Sequence, residues 1–331
     1  MYPHKSGYIP LFFPFEVSVT WIFLGVLAVL LVLVAAFAYY AYYVTFFVSE
    51  KEKRAAPVPP EGKPYEPYRA QMAEGIERLK GIPYESFSIR SRDGKRLWAR
   101  YYHSHDGAPL RILVHGYRGT VERDFSGGVP FALGQGNNVL AIEHRGHGRS
   151  DGHTITFGLK ERYDLLDWIR FSLDKFGPDV RIILSGISMG SAVVLFVSGM
   201  EELPPQVKCI LADCPYSSPA EIIKRVAKER GFPPKLVYPF IQLGALLYGH
   251  FRLTDESVVD AVRRSRVPIL LVHSDGDDFV PCYMSVEIAK ANPEKVRLEI
   301  FRADAHGISF YADLPRYRKI LEEFFAEHLP E

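Results

Sequence analysis

Between Glu16 and Glu50 the chain carries no charged residue, and the run Val17–Val48 exceeds the roughly 20 apolar residues that span a bilayer. A segment this apolar has no face to offer water, so it belongs in lipid. The direct reading is a transmembrane helix over 17–48, preceded by a short tail at 1–16. A cleaved secretory signal is the alternative, and Ala36-Phe37-Ala38 has the small-residue pattern of a cleavage site. Against it stand the length of the run, a leader whose only lysine is Lys5, and apolar sequence that continues past that site. Tyr39, Tyr40, Tyr42, Tyr43, Phe46 and Phe47 crowd the far end, as rings do at a membrane interface, and Lys51, Lys53 and Arg54 follow. The basic flank predicts a single-pass protein of the cell membrane with its large C-terminal part in the cytoplasm.

From 49 to 75 charge and proline (Pro57, Pro59, Pro60, Pro64, Pro67) predict an extended, semi-rigid linker. The remaining stretch, 76–331, is long enough for one sizeable core. Hydrophobic residues at 47% and charged residues at 24% exclude disordered and disulfide-scaffold classes. A net charge of +1 without a basic cluster in the folded part argues against nucleic acid as a partner. Cys209, Cys214 and Cys282 are too few and too scattered for a disulfide framework or a metal site. No paired-histidine metal motif and no Walker-type phosphate loop occurs, so neither metal nor cofactor is expected.

After the linker, short apolar runs alternate with helical patterns, which predicts an α/β architecture with a mostly parallel sheet. Strands are expected near Ser86–Arg90, Leu97–Tyr102, Arg111–His115, Asn138–Glu143, Arg181–Ser185, Val207–Ala212, Pro268–His273 and Val296–Phe301. Helical periodicity marks Phe157–Phe176 and Leu314–His328. The segment 216–266 interrupts the alternation, and its proline-broken apolar stretch Phe232–Ile241 suits a helical cap inserted over a site.

The sharpest local signal is Gly186-Ile187-Ser188-Met189-Gly190, between an apolar strand and a small-residue helix start. A strand-to-helix elbow exposes a serine hydroxyl as a nucleophile and leaves no room for side chains at the flanking glycines. Attack on a carbonyl puts negative charge on oxygen, to be met by backbone N–H groups after the nucleophile and after an earlier strand. Met189 and Tyr117 are the expected donors, the latter in His115-Gly116-Tyr117-Arg118-Gly119. Of eleven histidines, His306 is the expected base, because it follows the last strand, where chemistry gathers in open α/β sheets. Asp275, Asp277 and Asp278 follow another strand and supply candidates for the acid that orients the base, with Asp213 as a rival.

On these residues the chain resembles the α/β-hydrolase superfamily, and more closely the membrane-anchored bacterial serine hydrolases related to lysophospholipases and serine aminopeptidases. The resemblance rests on His115–Gly119, Glu143–Ser150, Gly186–Gly190, Asp277-Asp-Phe-Val-Pro281 and Ala305-His306-Gly307. It implies an eight-stranded α/β-hydrolase fold with an inserted cap, and it selects Asp277 as the acid. Ser274 departs from the glycine often found there, and Glu143–Ser150 reads as a structural polar turn. The implied activity is hydrolysis of a carboxylic ester or thioester, lipid-derived substrates included, through an acyl-serine intermediate. An aminopeptidase or amidase, with Glu201 or Glu202 receiving the substrate amine, and a catalytically silent membrane-anchored binding module are the alternatives.

Overall fold

Strands in the middle of the chain are buried along nearly their whole length, as expected where helices cover both faces of a parallel sheet. The computed structural model describes residues 19–329, so the expected tail at 1–16 lies outside them. Eight strands form one sheet: β1 (Glu85–Arg90), β2 (Arg96–Tyr102), β3 (Leu110–Val114), β4 (Asn138–Glu143), β5 (Ile182–Ile187), β6 (Val207–Asp213), β7 (Ile269–Ser274) and β8 (Val296–Phe301). Their order is β1-β2-β4-β3-β5-β6-β7-β8. β2 runs antiparallel to both β1 and β4, and the other neighbours are parallel. Each strand lies within two residues of its expected position.

Alternate side chains feed two layers. Ile112, Leu140, Leu184, Ile210 and Leu271 pack beneath helices Glu161–Phe176, Met189–Ser198 and Tyr283–Ala291. On the opposite face Ile183, Leu211 and Leu270 meet Tyr317, Ile320, Leu321 and Phe324 of helix Leu314–His328. The helix expected from Phe157 begins at Glu161 instead. Phe157 and Gly158 turn through positive φ, and the Glu161 carboxylate accepts the N–H groups of Thr156 and Gly158 to cap the turn.

Between β6 and β7 lie helices Pro219–Glu229 and Pro234–Gly244, a π-helical turn Ala245–Gly249, and helix Val258–Arg263. The last packs on the helices Met189–Ser198 and Tyr283–Ala291, so the cap ends before the expected boundary at 266.

The N-terminal helix, Val19–Phe46, is long and apolar enough to cross a membrane. Its first half is exposed, whereas Ala38, Tyr42 and Phe46, spaced four apart on one face, are buried. They dock against the cap. Gly244 makes the contact close: a Cβ there would overlap the Ala38 carbonyl. Tyr248 donates to the Ala35 carbonyl at 3.1 Å, and Phe46 meets Phe251 edge to face at 5.2 Å.

Of the extended linker expected over 49–75, only the stretch 55–61, with Pro57, Pro59 and Pro60, lacks regular structure as a linker would; helix flanks it on both sides. Ser49 caps a turn of helix over Glu50–Lys53, and Lys53 Nζ donates to the Ser150 carbonyl at 2.8 Å. Helix Glu66–Lys80 then crosses the expected boundary at 75 and buries Met72, Ile76 and Leu79. Pro67 sits in its first turn, where a missing N–H costs nothing. Pro64 and Pro67 therefore mark helix starts, and the helical turns anchor to the domain through side chains that composition does not reveal.

Candidate active site

Ser188 stands between β5 and helix Met189–Ser198 with φ 55° and ψ −117°, a left-handed conformation that a side-chain-bearing residue adopts only under constraint. Two contacts supply the constraint. The Ser188 N–H donates to the Asp213 carbonyl at 2.8 Å, and the elbow packs so tightly that a Cβ at Gly190 would overlap the Val114 carbonyl. At Gly186 it would meet the Gly190 backbone. The glycines of the motif are dictated by space.

His306 follows β8, and its Nδ1 lies 2.6 Å from Asp277 Oδ2. The Asp277 side chain is fully buried, and its Oδ1 accepts the N–H groups of Phe279 (3.1 Å) and Val280 (2.8 Å). Burial alone would push this carboxyl up; the His306 and His273 imidazoles beside it hold it well below the ordinary carboxylate range. The other acids are placed elsewhere. Asp275 accepts the Ala303 N–H at 3.2 Å, and Asp213 receives the Ser309 hydroxyl at 3.4 Å. Burial pushes Asp213 up to about 7.

Ser188 and His306 are neighbours without a mutual hydrogen bond. His306 Nε2 lies 3.7 Å from Cys214 Sγ, and Cys214 sits against the Ser188 backbone. Cys214, Asp277 and His306 bring three donor atoms within 4.8 Å of one another. Burial pushes the Cys214 thiol well above its ordinary value, which favours the neutral thiol over a metal-binding thiolate.

Beyond Ser188, the N–H groups of Tyr117 and Met189 have no hydrogen-bond partner among the described residues. The loop that carries Tyr117 is held from three directions. Asp124 accepts the Gly116 N–H at 2.8 Å, and His147 Nε2 accepts the Arg118 N–H at 3.1 Å. From the N-terminal helix, the Thr45 carbonyl accepts the Tyr117 hydroxyl at 2.8 Å. Arg118 completes the link, donating to the Phe47 carbonyl at 2.8 Å and to the Glu52 carboxylate.

His115, His144 and His147 form a buried cluster behind this loop, with rings 4.6 Å and 4.8 Å from His115. Burial, then the mutual proximity of the rings, pushes His115 and His144 down to about 3, and His147 also falls well below its ordinary value. Hydrogen bonding agrees. Nε2 of His115 and of His147 each accepts a backbone N–H, from His144 and Arg118, so neither ring can carry a second proton. Glu143–Ser150, expected as a structural turn, thus supplies His147 to the loop beside Ser188.

Ser188, Met189 and Tyr117 open onto an apolar cavity of about 360 Å³. The cap contributes Ile223, Val237 and Ile241. The N-terminal helix contributes Phe37, Tyr40, Ala41, Val44 and Thr45, which sequence reasoning did not place at the site. Asp124, His147 and Tyr65, whose hydroxyl donates to the His306 carbonyl at 2.9 Å, were also missed. The tyrosine cluster was the one available signal, and it fits a membrane interface equally well. Glu201 and Glu202 lie on a turn at the far end of helix Met189–Ser198 and do not line the cavity.

A family model described as alpha/beta hydrolase fold matches residues 112–257. Esterase Pf2001 of Pyrococcus furiosus superposes with a TM-score of 0.62 at 22% identity, over 83% of this chain and 99% of that one. The chain has the α/β-hydrolase fold. Est1E of Butyrivibrio proteoclasticus, solved with ferulic acid bound, shares this fold at a TM-score of 0.56 and 24% identity, over 74% of this chain and all (100%) of Est1E. Among curated proteins, the uncharacterized protein YqkD of Bacillus subtilis is 26% identical over 250 residues, 75% of this chain and 81% of YqkD. On the α/β-hydrolase sheet, Ser188 and His306 follow β5 and β8 at the strands' C-terminal edge, where open parallel sheets gather their chemistry.

Proposed function

We propose that the chain is a membrane-anchored serine hydrolase that cleaves a carboxylic ester or thioester through an acyl-serine intermediate. The observation that carries this reading is the 2.6 Å Asp277–His306 pair beside a strained Ser188 elbow at the mouth of an apolar cavity. Asp277 holds the Nδ1–H of His306, leaving Nε2 to take the Ser188 proton as Oγ attacks the substrate carbonyl. The resulting oxyanion is met by the N–H groups of Tyr117 and Met189. His306 then protonates the leaving alcohol or thiol, and water, deprotonated by the same nitrogen, releases the acid and restores Ser188. The Ser188–Nε2 hydrogen bond forms when substrate binds, as catalytic hydrogen bonds often tighten only in the complex.

The esterase Pf2001 shares the fold, and the cavity chemistry favours an acyl group over a peptide amine. Arg230 is the one charged side chain on its lining among the described residues, and no acidic group is present to receive an ammonium. The anchor reading is supported by the exposed apolar half of the helix and by the docking of its Ala38, Tyr42 and Phe46 face against the cap. Lys51, Lys53 and Arg54 support a cytoplasmic hydrolase domain.

The full chain in detergent, assayed on p-nitrophenyl esters and on aminoacyl naphthylamides, tests the activity. Ester turnover well above amide turnover is expected; the reverse would favour an aminopeptidase. A C-terminal reporter active only outside the cytoplasm would overturn the orientation.

A further inference from the structure

The wall that the N-terminal helix gives to the cavity bears on where substrate comes from. Resting on the proposed serine-hydrolase reading, we infer that Phe37, Tyr40, Ala41 and Val44 form part of the acyl-binding wall. The substrate is then a bilayer-resident amphiphile whose acyl chain passes sideways from the leaflet to Ser188.

Three observations converge on this. First, the helix and the cap do not simply seal against each other. The Gly244 backbone lies directly against the Ala38 carbonyl, yet beside the neighbouring helix residues Phe37, Tyr40, Ala41 and Val44 a void of about 360 Å³ remains between helix, cap and Ser188. Packed interiors rarely leave such a space, and this volume falls among those of small-molecule sites, roughly 300–1,000 Å³.

Second, the depth matches. A hydrocarbon core about 30 Å thick takes up about 20 residues at 1.5 Å per residue. Counted from Val17, where the apolar run begins, the span leaves the hydrocarbon close to Phe37 and within about a turn of Tyr40, and both of these helix residues line the cavity. These are 63% and 65% exposed, and across the opening Phe232 and Leu236 of the cap are 55% and 67% exposed. An opening rimmed on both sides by exposed apolar side chains suits a lipid surface and would be poorly solvated in water.

Third, the competing cavity has the wrong chemistry. A larger space of about 680 Å³ lies on the other side of the Tyr117 loop, but Lys53, Arg100, Glu122, Glu143 and Arg149 line it and Ser188 does not. An acyl chain would strand charges there and stay out of reach of the nucleophile.

The test uses the full chain in phospholipid nanodiscs and an alkyl fluorophosphonate whose tail ends in a diazirine. The phosphonate fixes the head on Ser188, and light then fixes the tail, so mass spectrometry of the doubly linked peptides reports where the chain lies. Tail crosslinks within residues 37–45, alone or with residues 232–241, are expected. Crosslinks confined to the cap or to the charged cavity would overturn the inference and leave the hydrolase reading standing. Absence of any Ser188 adduct would overturn both. Ala41→Trp supplies an independent measurement. It should lower the ratio of kcat/KM for a dodecanoyl ester to that for an acetyl ester by about tenfold or more, the scale on which pockets discriminate small changes in shape. An unchanged ratio in a variant that still labels at Ser188 would contradict the helix wall.

Discussion

The Tyr117 hydroxyl donates a 2.8 Å hydrogen bond to the Thr45 carbonyl, which ties the loop carrying an expected oxyanion donor to the end of the N-terminal helix. Arg118 doubles the tie through Phe47 and Glu52. In this arrangement the end of the N-terminal helix is fastened to the loop beside Ser188.

The tie predicts that Arg118→Ala lowers kcat more than it raises KM. Deleting an oxyanion donor outright costs about 10²–10³ in kcat, and loosening one should cost on the order of tenfold. A chain that begins at Glu66 should fare worse, since it loses the cavity wall and both ties together. Steady-state kinetics of the variant and the fragment, each beside the full chain, check this; a fragment with full activity would refute the coupling.

Gly244→Val should separate helix from cap. The added carbons meet the Ala38 carbonyl and the Tyr42 side chain, and overpacking of this kind costs about 1–3 kcal/mol. The melting temperature in detergent should fall by about 2–4 °C for each kcal/mol. An unchanged melting temperature would mean that the helix does not dock in solution as it does in this structure.

The docking was not legible in the sequence, and the reason is physical. In Val17–Val48 nearly every residue is apolar, so no periodicity separates the Ala38, Tyr42 and Phe46 face from the rest. Likewise, nothing local marks Asp124 as the acceptor of the Gly116 N–H or Glu52 as the partner of Arg118; both depend on how the loop folds. What was legible depends on short-range rules. Buried runs such as Ile269–Ser274 show as apolar stretches between turns, and Gly186–Gly190 shows because a strand-to-helix elbow leaves no room for side chains at its glycines. The aspartates after β7 could be told apart only by resemblance, and the geometry puts Asp277 against His306.

The buried histidines predict loss of stability in acid. His115, His144 and His147 remain neutral when folded, with values far below the ~6.5 of an unfolded histidine. As pH falls below about 6.5 the unfolded chain takes up protons that the folded chain refuses, so each histidine lowers stability by about 1.4 kcal/mol per pH unit. Asp213 works the other way. Its folded value is near 7, so the stability it contributes is present below an unfolded value of about 4 and is lost as pH rises toward neutrality. Asp164, whose carboxyl burial raises to about 6, acts in the same sense as Asp213; with three histidines against two carboxyls, acid still destabilises. Denaturant unfolding between pH 6.5 and 4.5, about the range in which the unfolded histidines titrate, should show a falling free energy. His147→Gln, which keeps one donor and one acceptor, should remove about 1.4 kcal/mol per pH unit from that slope. A flat profile would contradict the buried neutral cluster.

Asp277→Asn should leave the protein folded and reduce kcat by about 10⁴, because an amide cannot hold His306 in the required tautomer. Asp213→Asn, at a carboxyl that touches Ser309 and not His306, should retain most activity. Turnover measured on one ester settles the matter, and the opposite ranking would transfer the acid's role to Asp213.

The central claim is that Ser188 is the nucleophile, and covalent labelling by a fluorophosphonate tests it most directly. The full chain should give a single adduct, mapped by mass spectrometry to the peptide containing Gly186–Gly190, and Ser188→Ala should abolish it while the melting temperature stays close to that of the parent. Equal labelling of the Ser188→Ala protein, or an adduct on any other serine, would contradict the account.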